Sequence, residues 1–298
     1  MELDLDHLRG WIGQEAEAED IVTPRLVAEF RSIFEPHFLA TPDGEAPPGF
    51  HWLLSPAIVP MTAVGADGHP ERGGFLPPVP LPRRMWAGGA VETRGPLRVG
   101  DTVRRRSRIA DVSAKQGRSG ALCFVAVRHD YETDRGTVIS ERHDIVYRDS
   151  DAAGPATATA PVTPAPATPA PATPVPASPA PRAADESWIV ETSPLLLFRY
   201  SAVTFNGHRI HYDLPYVTGQ EGYPGLVVHG PIQATLLLNL AAVARGRTPG
   251  RFSYRGLSPL IAGEPFRVAG SRDPNGTFRC WTEAAGGRTG MEGDAGPS

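Results

Sequence analysis

Leu226-Val227-Val228-His229-Gly230-Pro231-Ile232-Gln233-Ala234-Thr235-Leu236-Leu237-Leu238-Asn239-Leu240-Ala241-Ala242-Val243-Ala244 is the stretch that decides the fold. Pro231 suits the first position of a helix, where a missing N–H costs nothing. No residue from Ile232 to Ala244 is charged, so this helix is apolar nearly all round and has to be wrapped by other elements. It is too short to span a bilayer, which needs about 20 residues. Strand-like runs supply the wrapping at Ala90–Thr93, Thr102–Val112, Ala121–Tyr131 and Val138–Tyr147. Ala121-Leu122-Cys123-Phe124-Val125-Ala126-Val127 is apolar on both faces, as a central strand is. A strongly curved antiparallel sheet around one buried helix fits this arrangement, an α+β class.

Working outward, the plan occurs twice. Pro96-Leu97-Arg98-Val99-Gly100-Asp101 matches Pro259-Leu260-Ile261-Ala262-Gly263-Glu264, and each precedes a long strand pattern with a turn inside it. Lys115–Gly120 is the hairpin of the first copy and Asp273-Pro274-Asn275-Gly276 that of the second. The matching order of elements points to an internal duplication. Near the N-terminus, Thr23 caps a helix from Pro24 whose Leu26, Val27, Phe30, Ile33 and Phe34 recur at helical spacing. Between the copies, Ala152 to Ala184 is nearly all Ala, Pro and Thr, without apolar periodicity or an aromatic residue. Such a segment buries too little to offset its ordering entropy and reads as a linker. The expected organisation is therefore 1–150, a linker at 151–185, and 186–298.

Composition removes several classes of function. The chain has 298 residues and a net charge of −4, so bulk attraction to nucleic acid or to an acidic membrane surface is not expected. Two cysteines, Cys123 and Cys280, are too few for a disulfide scaffold, and no Cys-x-x-Cys or His/Cys cluster suggests a zinc site. That cysteine usage fits a cytoplasmic chain. The start, Met1-Glu2-Leu3-Asp4-Leu5-Asp6, lacks the basic flank and apolar run of a secretory signal, and no apolar stretch approaches membrane-spanning length. No Gly-x-x-x-x-Gly-Lys phosphate loop is present.

Polar residues concentrate in Phe205-Asn206-Gly207-His208-Arg209-Ile210-His211-Tyr212-Asp213 and in Tyr223 to Pro231, which runs into the apolar helix. Gly230 and the first helical residues present N–H groups without intrahelical partners. With the positive end of the helix dipole they suit a carbonyl oxygen that gains negative charge. His211 transfers protons near neutral pH, as enolate chemistry requires. Loop capping by hydrogen bonds is the other reading of these histidines, and on residue type alone it suits His208 and His229 better than the chemical one.

These two segments resemble the signature of the MaoC-like, hotdog-fold (R)-specific enoyl-thioester hydratases. That family carries Asp-x-Asn-Pro-x-His, and Asn206 to His211 keeps the five-residue spacing; His229-Gly230 matches the pair opening the family's central helix. With Gly73–Gly89 and His143–Tyr147, the chain resembles the double-hotdog branch that holds mesaconyl-C4-CoA hydratase and the type 2 3-hydroxyacyl-thioester dehydratases. The resemblance implies a tandem hotdog, each copy a curved antiparallel sheet around a central helix, and a hydro-lyase acting across the 2,3 bond of an enoyl thioester. His211 would be the acid/base, Gly230 N–H the oxyanion donor, and the first hotdog the source of substrate-tunnel walls. Tyr212, His229, Arg83, Arg84 and Trp86 are expected to bind substrate. The two arginines sit in a Pro-rigid loop, where a guanidinium would take a second carboxylate of the substrate; the other reading is that both bind CoA phosphates or lie in solvent.

One departure stands out: Asn206 occupies the place of the family's acid. Either Asn206 positions the water while His211 acts alone, or Asp213, two residues on and on the same face if the segment is a strand, substitutes. No metal, flavin or nucleotide cofactor is implied, CoA or phosphopantetheine being part of the substrate. A homodimer is the assembly to test. Rival readings are a hotdog thioesterase, disfavoured because Ile232–Ala244 holds no Glu or Asp, and a non-catalytic thioester binder.

Overall fold

The computed structural model describes residues 3–117, 120–149 and 182–296, so residues 151–181 of the expected linker lie outside the described residues. Before it come α1 (Leu5–Arg9), β1 (Glu15–Ile21), α2 (Pro24–Phe34), β2 (Arg83–Thr93), β3 (Thr102–Gly117), β4 (Gly120–Thr133) and β5 (Gly136–Arg148). After it come β6 (Glu186–Val190), α3 (Pro194–Val203), α4 (Leu214–Gly219), α5 (Gly230–Arg245), β7 (Arg251–Gly256), β8 (Phe266–Arg272), β9 (Phe278–Ala284) and β10 (Thr289–Ala295). The strands form one antiparallel sheet in the order β1-β3-β4-β5-β2-β7-β10-β9-β8-β6. The order within the first five repeats in the last five, reversed about the β2–β7 junction.

That junction explains a pair of glycines. β2 and β7 pair from Gly88↔Arg255 to Glu92↔Arg251. A Cβ on Gly88 would lie 2.6 Å from the Tyr254 carbonyl oxygen, and one on Gly89 2.6 Å from the Tyr254 hydroxyl. Only residues without a side chain let the two halves approach so closely.

The matched hexapeptides hold equivalent places. Ala46 N–H donates to Leu97 O (2.9 Å) and Val99 N–H to Gly44 O (2.8 Å); Val228 N–H donates to Leu260 O and Ala262 N–H to Leu226 O, both at 2.8 Å. The duplication read from sequence is thus present in the hydrogen bonding.

α5 is the buried helix, with Ile232 to Ala242 all inaccessible, packed against Phe252, Val268, Phe278 and Met291 of the second half and Phe50 and Leu54 of the first. Each such side chain contributes about 1.5–3 kcal/mol by leaving water. In the first half the corresponding segment is a single 3-10 turn, Phe50–Leu53. Pro47-Pro48 before it and Ser55-Pro56 after it, with Ser55 at φ 51°, leave no room for a longer helix. Asn239, in the middle of α5, ties the halves together: its Nδ2 donates to Pro48 O (2.8 Å) and its Oδ1 accepts from Leu39 N–H (3.0 Å).

Two expectations are corrected. Arg83 to Trp86 belong to β2 rather than to a loop, because the prolines end at Pro82 and the chain then pairs with β5 at Arg83↔Arg148. His211 closes a 3-10 turn, Arg209–His211, and is not on a strand, so Asp213 does not share its face.

Candidate active site

The motif begins where α3 ends. Phe205 takes a left-handed φ of 50°, Asn206 N–H donates to Ser201 O (2.8 Å), and Asn206 Oδ1 accepts from His208 N–H (2.9 Å). Asn206 therefore shapes the turn that carries the histidines. Asp213 is likewise occupied: it caps α4 through Tyr216 N–H (3.1 Å) and pairs with Arg209 at 2.8 Å, which holds its carboxyl below the usual range. Both of its carboxylate oxygens are thus engaged.

His211 is buried, and its Nδ1 lies 2.7 Å from Val227 O. A carbonyl oxygen only accepts, so Nδ1 carries the hydrogen and Nε2 the lone pair. Burial, which outweighs that hydrogen bond, lowers the His211 pKa to about 4, and the ring is neutral at pH 7. Its face stacks on His229, centroids 3.5 Å apart. His229 is fully buried, bonded through Nε2 to Ser201 Oγ (2.9 Å) and edged by Tyr200. His229 is also the N-cap of α5, which places the stacked pair at the end of the helix that begins at Gly230. Trp86 closes this end from the first half, its Cβ 3.5 Å from where a Gly230 Cβ would stand.

The remaining expected residues divide. Tyr212 is half exposed and donates to Gly207 O (3.0 Å). Arg83 is buried and pairs with Glu221, Nε to Oε2 at 3.2 Å and Nη2 to the backbone oxygen at 2.8 Å, so it fastens the loop before α5. Arg84 shares the Trp86 side of β2, and its charge acts on Asp67, His69 and His143.

Three groups in the first half escaped the sequence reading. Asp67 and His69 flank Gly68 on a loop pressed onto the motif: Arg209 N–H donates to Asp67 O (2.9 Å) and Arg209 Nη1 to Ala66 O (3.0 Å). His69 faces His208, centroids 4.1 Å apart, and His208 meets His211 edge-on at 5.4 Å. Glu141 on β5 is buried among Trp52 Nε1 (2.9 Å), Tyr131 OH (3.3 Å) and Tyr254 OH (3.4 Å), and burial pushes its carboxyl up to about 7. Tyr254 also accepts from Trp86 Nε1 (2.9 Å), so this cluster braces the wall over Gly230.

Among the described residues, one set of potential metal ligands comes together: Asp67, His69 and His208, with donor atoms within 4.8 Å of one another. The Asp67 oxygens are taken by His69 N–H and His69 Nδ1, each at 3.0 Å, and the charges of Arg84 and Arg72 bear on His69. The set is held as a hydrogen-bonded carboxylate–imidazole pair beside a third ring, with cationic neighbours that oppose a divalent ion.

A family profile described as hydroxyacyl-thioester dehydratase type 2 matches residues 49–262, a span that contains every group named above. The chain belongs to the type 2 hydroxyacyl-thioester dehydratase family. Within reach of that family, it is 42% identical to mesaconyl-C(4)-CoA hydratase of Chloroflexus aurantiacus over 89% of each chain. It is 26% identical to the mitochondrial hydroxyacyl-thioester dehydratase type 2 of Schizosaccharomyces pombe, over 76% of this chain and 78% of that one. The family fold is equally plain. A solved MaoC-like dehydratase superposes with a TM-score of 0.67 at 17% identity, covering 98% of this chain and all of the other. A double-hotdog protein of Mycobacterium tuberculosis gives 0.56 at 14%, over 95% and 94%. The chain is a tandem hotdog and a hydro-lyase of thioester substrates.

Proposed function

We propose that this hydro-lyase adds water to the 2,3 double bond of a short enoyl-CoA that carries a second carboxylate, with mesaconyl-C4-CoA as the leading substrate. The observation that carries the reading is the His211 Nδ1 bond to Val227 O at 2.7 Å, which leaves Nε2 as a base beside the N-terminus of α5. The thioester carbonyl accepts from Gly230 N–H. His211 Nε2 takes a proton from water as its oxygen bonds to C3, and the C2=C3 electron pair moves toward the thioester oxygen. The enolate is held by the helix-end N–H groups and dipole, a stabilisation of about 3–4 kcal/mol for one well-aimed donor. The imidazolium then returns the proton to C2, and dehydration runs the same steps backward. Each step uses His211, the helix end and the thioester itself, so CoA or a carrier phosphopantetheine enters only as part of the substrate.

Mesaconate is a dicarboxylic acid, so its mono-CoA thioester keeps one free carboxylate. Arg84, on the Trp86 side of β2, is the cation we assign to it. The buried free thiols of Cys123 and Cys280 suit a reducing, cytoplasmic setting. No helix among the described residues is long and apolar enough to cross a membrane.

The test is the loss of enoyl absorbance with crotonyl-, mesaconyl-, itaconyl- and longer trans-2-enoyl-CoA. Turnover with mesaconyl-CoA well above the others supports the assignment. Absence of turnover with all of them refutes the activity, and preference for an uncharged chain refutes the carboxylate.

A further inference from the structure

The motif's acid is missing from its usual place, and both Asn206 and Asp213 are engaged in local hydrogen bonds. The loop of the first half brings a carboxylate close by another route. Asp67 Oδ2 lies 3.0 Å from His69 Nδ1, and its Oδ1 accepts His69 N–H at the same distance, so the imidazole is held at two points. His69 is followed by His208 at 4.1 Å, then His211 at 5.4 Å, then His229 at 3.5 Å. Four imidazoles thus line up from one half to the other, and the carboxylate at the far end belongs to Asp67.

The loop is locked in that position. A Cβ on Gly68 would stand 1.8 Å from Gly207 O, and one on Gly207 2.6 Å from Gly68 O, so the two backbones touch where side chains are excluded. Gly68 has a φ of 87°, open to glycine at little cost. Arg209 adds the two backbone hydrogen bonds already described. The contact joins residues some 140 positions apart at the one turn that carries the base.

We propose that Asp67 and His69 supply, from the first half, the negative charge the motif lacks, stabilising through His208 the imidazolium that His211 becomes when it takes the proton of water. They are positioning residues, acting on the base and not on the substrate, and the inference rests on the hydration chemistry proposed above. The proton balance is simple. His211 Nε2 gains the proton as the C3–O bond forms and loses it as the C2–H bond forms. Between these events the site carries one extra positive charge among buried rings. His208 and His229 oppose that charge, since burial and mutual repulsion keep both well below the usual histidine range, and a protonated His69 would oppose it too. His69 is exposed to Arg84 and Arg72 as well as to Asp67. Burial favours a neutral Asp67, yet the two hydrogen bonds from His69 hold its carboxyl below the usual range, and burial keeps the His69 ring itself neutral, so the pair carries one negative charge at neutral pH.

The experiment compares Asp67→Asn, Asp67→Glu and His69→Gln with the intact chain, reading the His211 midpoint by NMR of 15N-labelled imidazoles and the kcat and KM for mesaconyl-CoA. Removing one negative charge two rings away lowers the His211 midpoint by about one pH unit and kcat by about tenfold. KM stays within about twofold, the acid limb of the rate profile moves to lower pH, and Asp67→Glu restores most of the loss. Asp67→Ser, which removes the same charge, gives the same direction if Asp67→Asn fails to fold, as judged by circular dichroism, whereas His69→Gln keeps the Asp67 charge and moves the midpoint less. An unchanged His211 midpoint in folded variants overturns the proposal whatever happens to the rate. A lowered midpoint in a chain that turns over no enoyl thioester upholds the charge coupling and refutes the hydratase reading alone. A stoichiometric divalent metal in the purified protein, released by Asp67→Asn, overturns the proposal in favour of a metal site.

Discussion

Mild acid should destabilise this protein, and the size of the effect follows from its buried histidines. Burial lowers the pKa of His51 to about 3 and of His143 and His211 to about 4, and in each case desolvation is the largest cause. In the unfolded chain all three titrate near 6.5. A lowered histidine pKa means that the unfolded state binds protons which the folded state refuses. Their stabilisation is complete above pH 6.5 and is lost as pH falls toward 4. Glu141 works the other way: its carboxyl, raised to about 7, holds a proton in the folded state between about 7 and 4.5 and offsets one histidine. The remainder, about two protons, weakens the fold by about 3 kcal/mol per pH unit below 6.5. Between pH 6.5 and 5 these groups alone remove about 4 kcal/mol, most of the lower end of a total stability of about 5–15 kcal/mol, and His208 and His229, lowered further, act in the same direction. The assay is the urea midpoint and Tm in steps from pH 7.5 to 5, with His143→Gln expected to flatten the slope by about 1.4 kcal/mol per unit. A Tm that moves by less than about 3 °C over that range, where a few kcal/mol would shift it by much more, refutes the reasoning.

Three substitutions extend the test. His211→Ala should lower kcat by about 10²–10⁴ with circular dichroism unchanged, and activity within threefold of the intact enzyme contradicts its role as base. Arg84→Leu should cost about ten- to a hundredfold in kcat/KM on mesaconyl-CoA and little on crotonyl-CoA, because a charged hydrogen bond contributes about 1.5–3 kcal/mol; equal losses on both point to the CoA moiety. Asn239→Leu strands the part-buried Leu39 N–H and the buried Pro48 O, so chemical denaturation should show a loss of about 1–3 kcal/mol, and a loss below about 0.5 kcal/mol shows that the tie between halves is dispensable.

What was legible in the sequence was local. Thr23 does cap α2, accepting from Leu26 N–H at 3.1 Å, and the charge-free run does form the buried helix. Ser193-Pro194 at the start of α3 is a cap of the same kind as Thr23-Pro24, and Asp213 before Leu214-Pro215 marks the start of α4 rather than a strand. β1 was hidden for a different reason. Glu15-Ala16-Glu17-Ala18-Glu19 offers only two alanines to its half-buried face, while its glutamates sit opposite Arg108, Arg106 and Arg104 of β3. Asp67 and His69 carry no local mark either. Their place is set by Gly207 and Arg209, on the far side of the chain, and only the folded contact reveals it.

The seam between β2 and β7 has a consequence for how such a protein can change. In a pair of identical subunits every substitution is made twice, and a residue that helps one side of the contact has to be tolerated on the other. Here Gly88-Gly89 faces Tyr254-Arg255, so the two sides of the junction already differ and each varies alone. That freedom is visible in the first half, where the helix has shrunk to Phe50–Leu53 while a loop and a tryptophan lean over the N-terminus of the other half's helix. The two halves of one chain thus supply different walls to a single helix end, an arrangement that identical paired subunits cannot make.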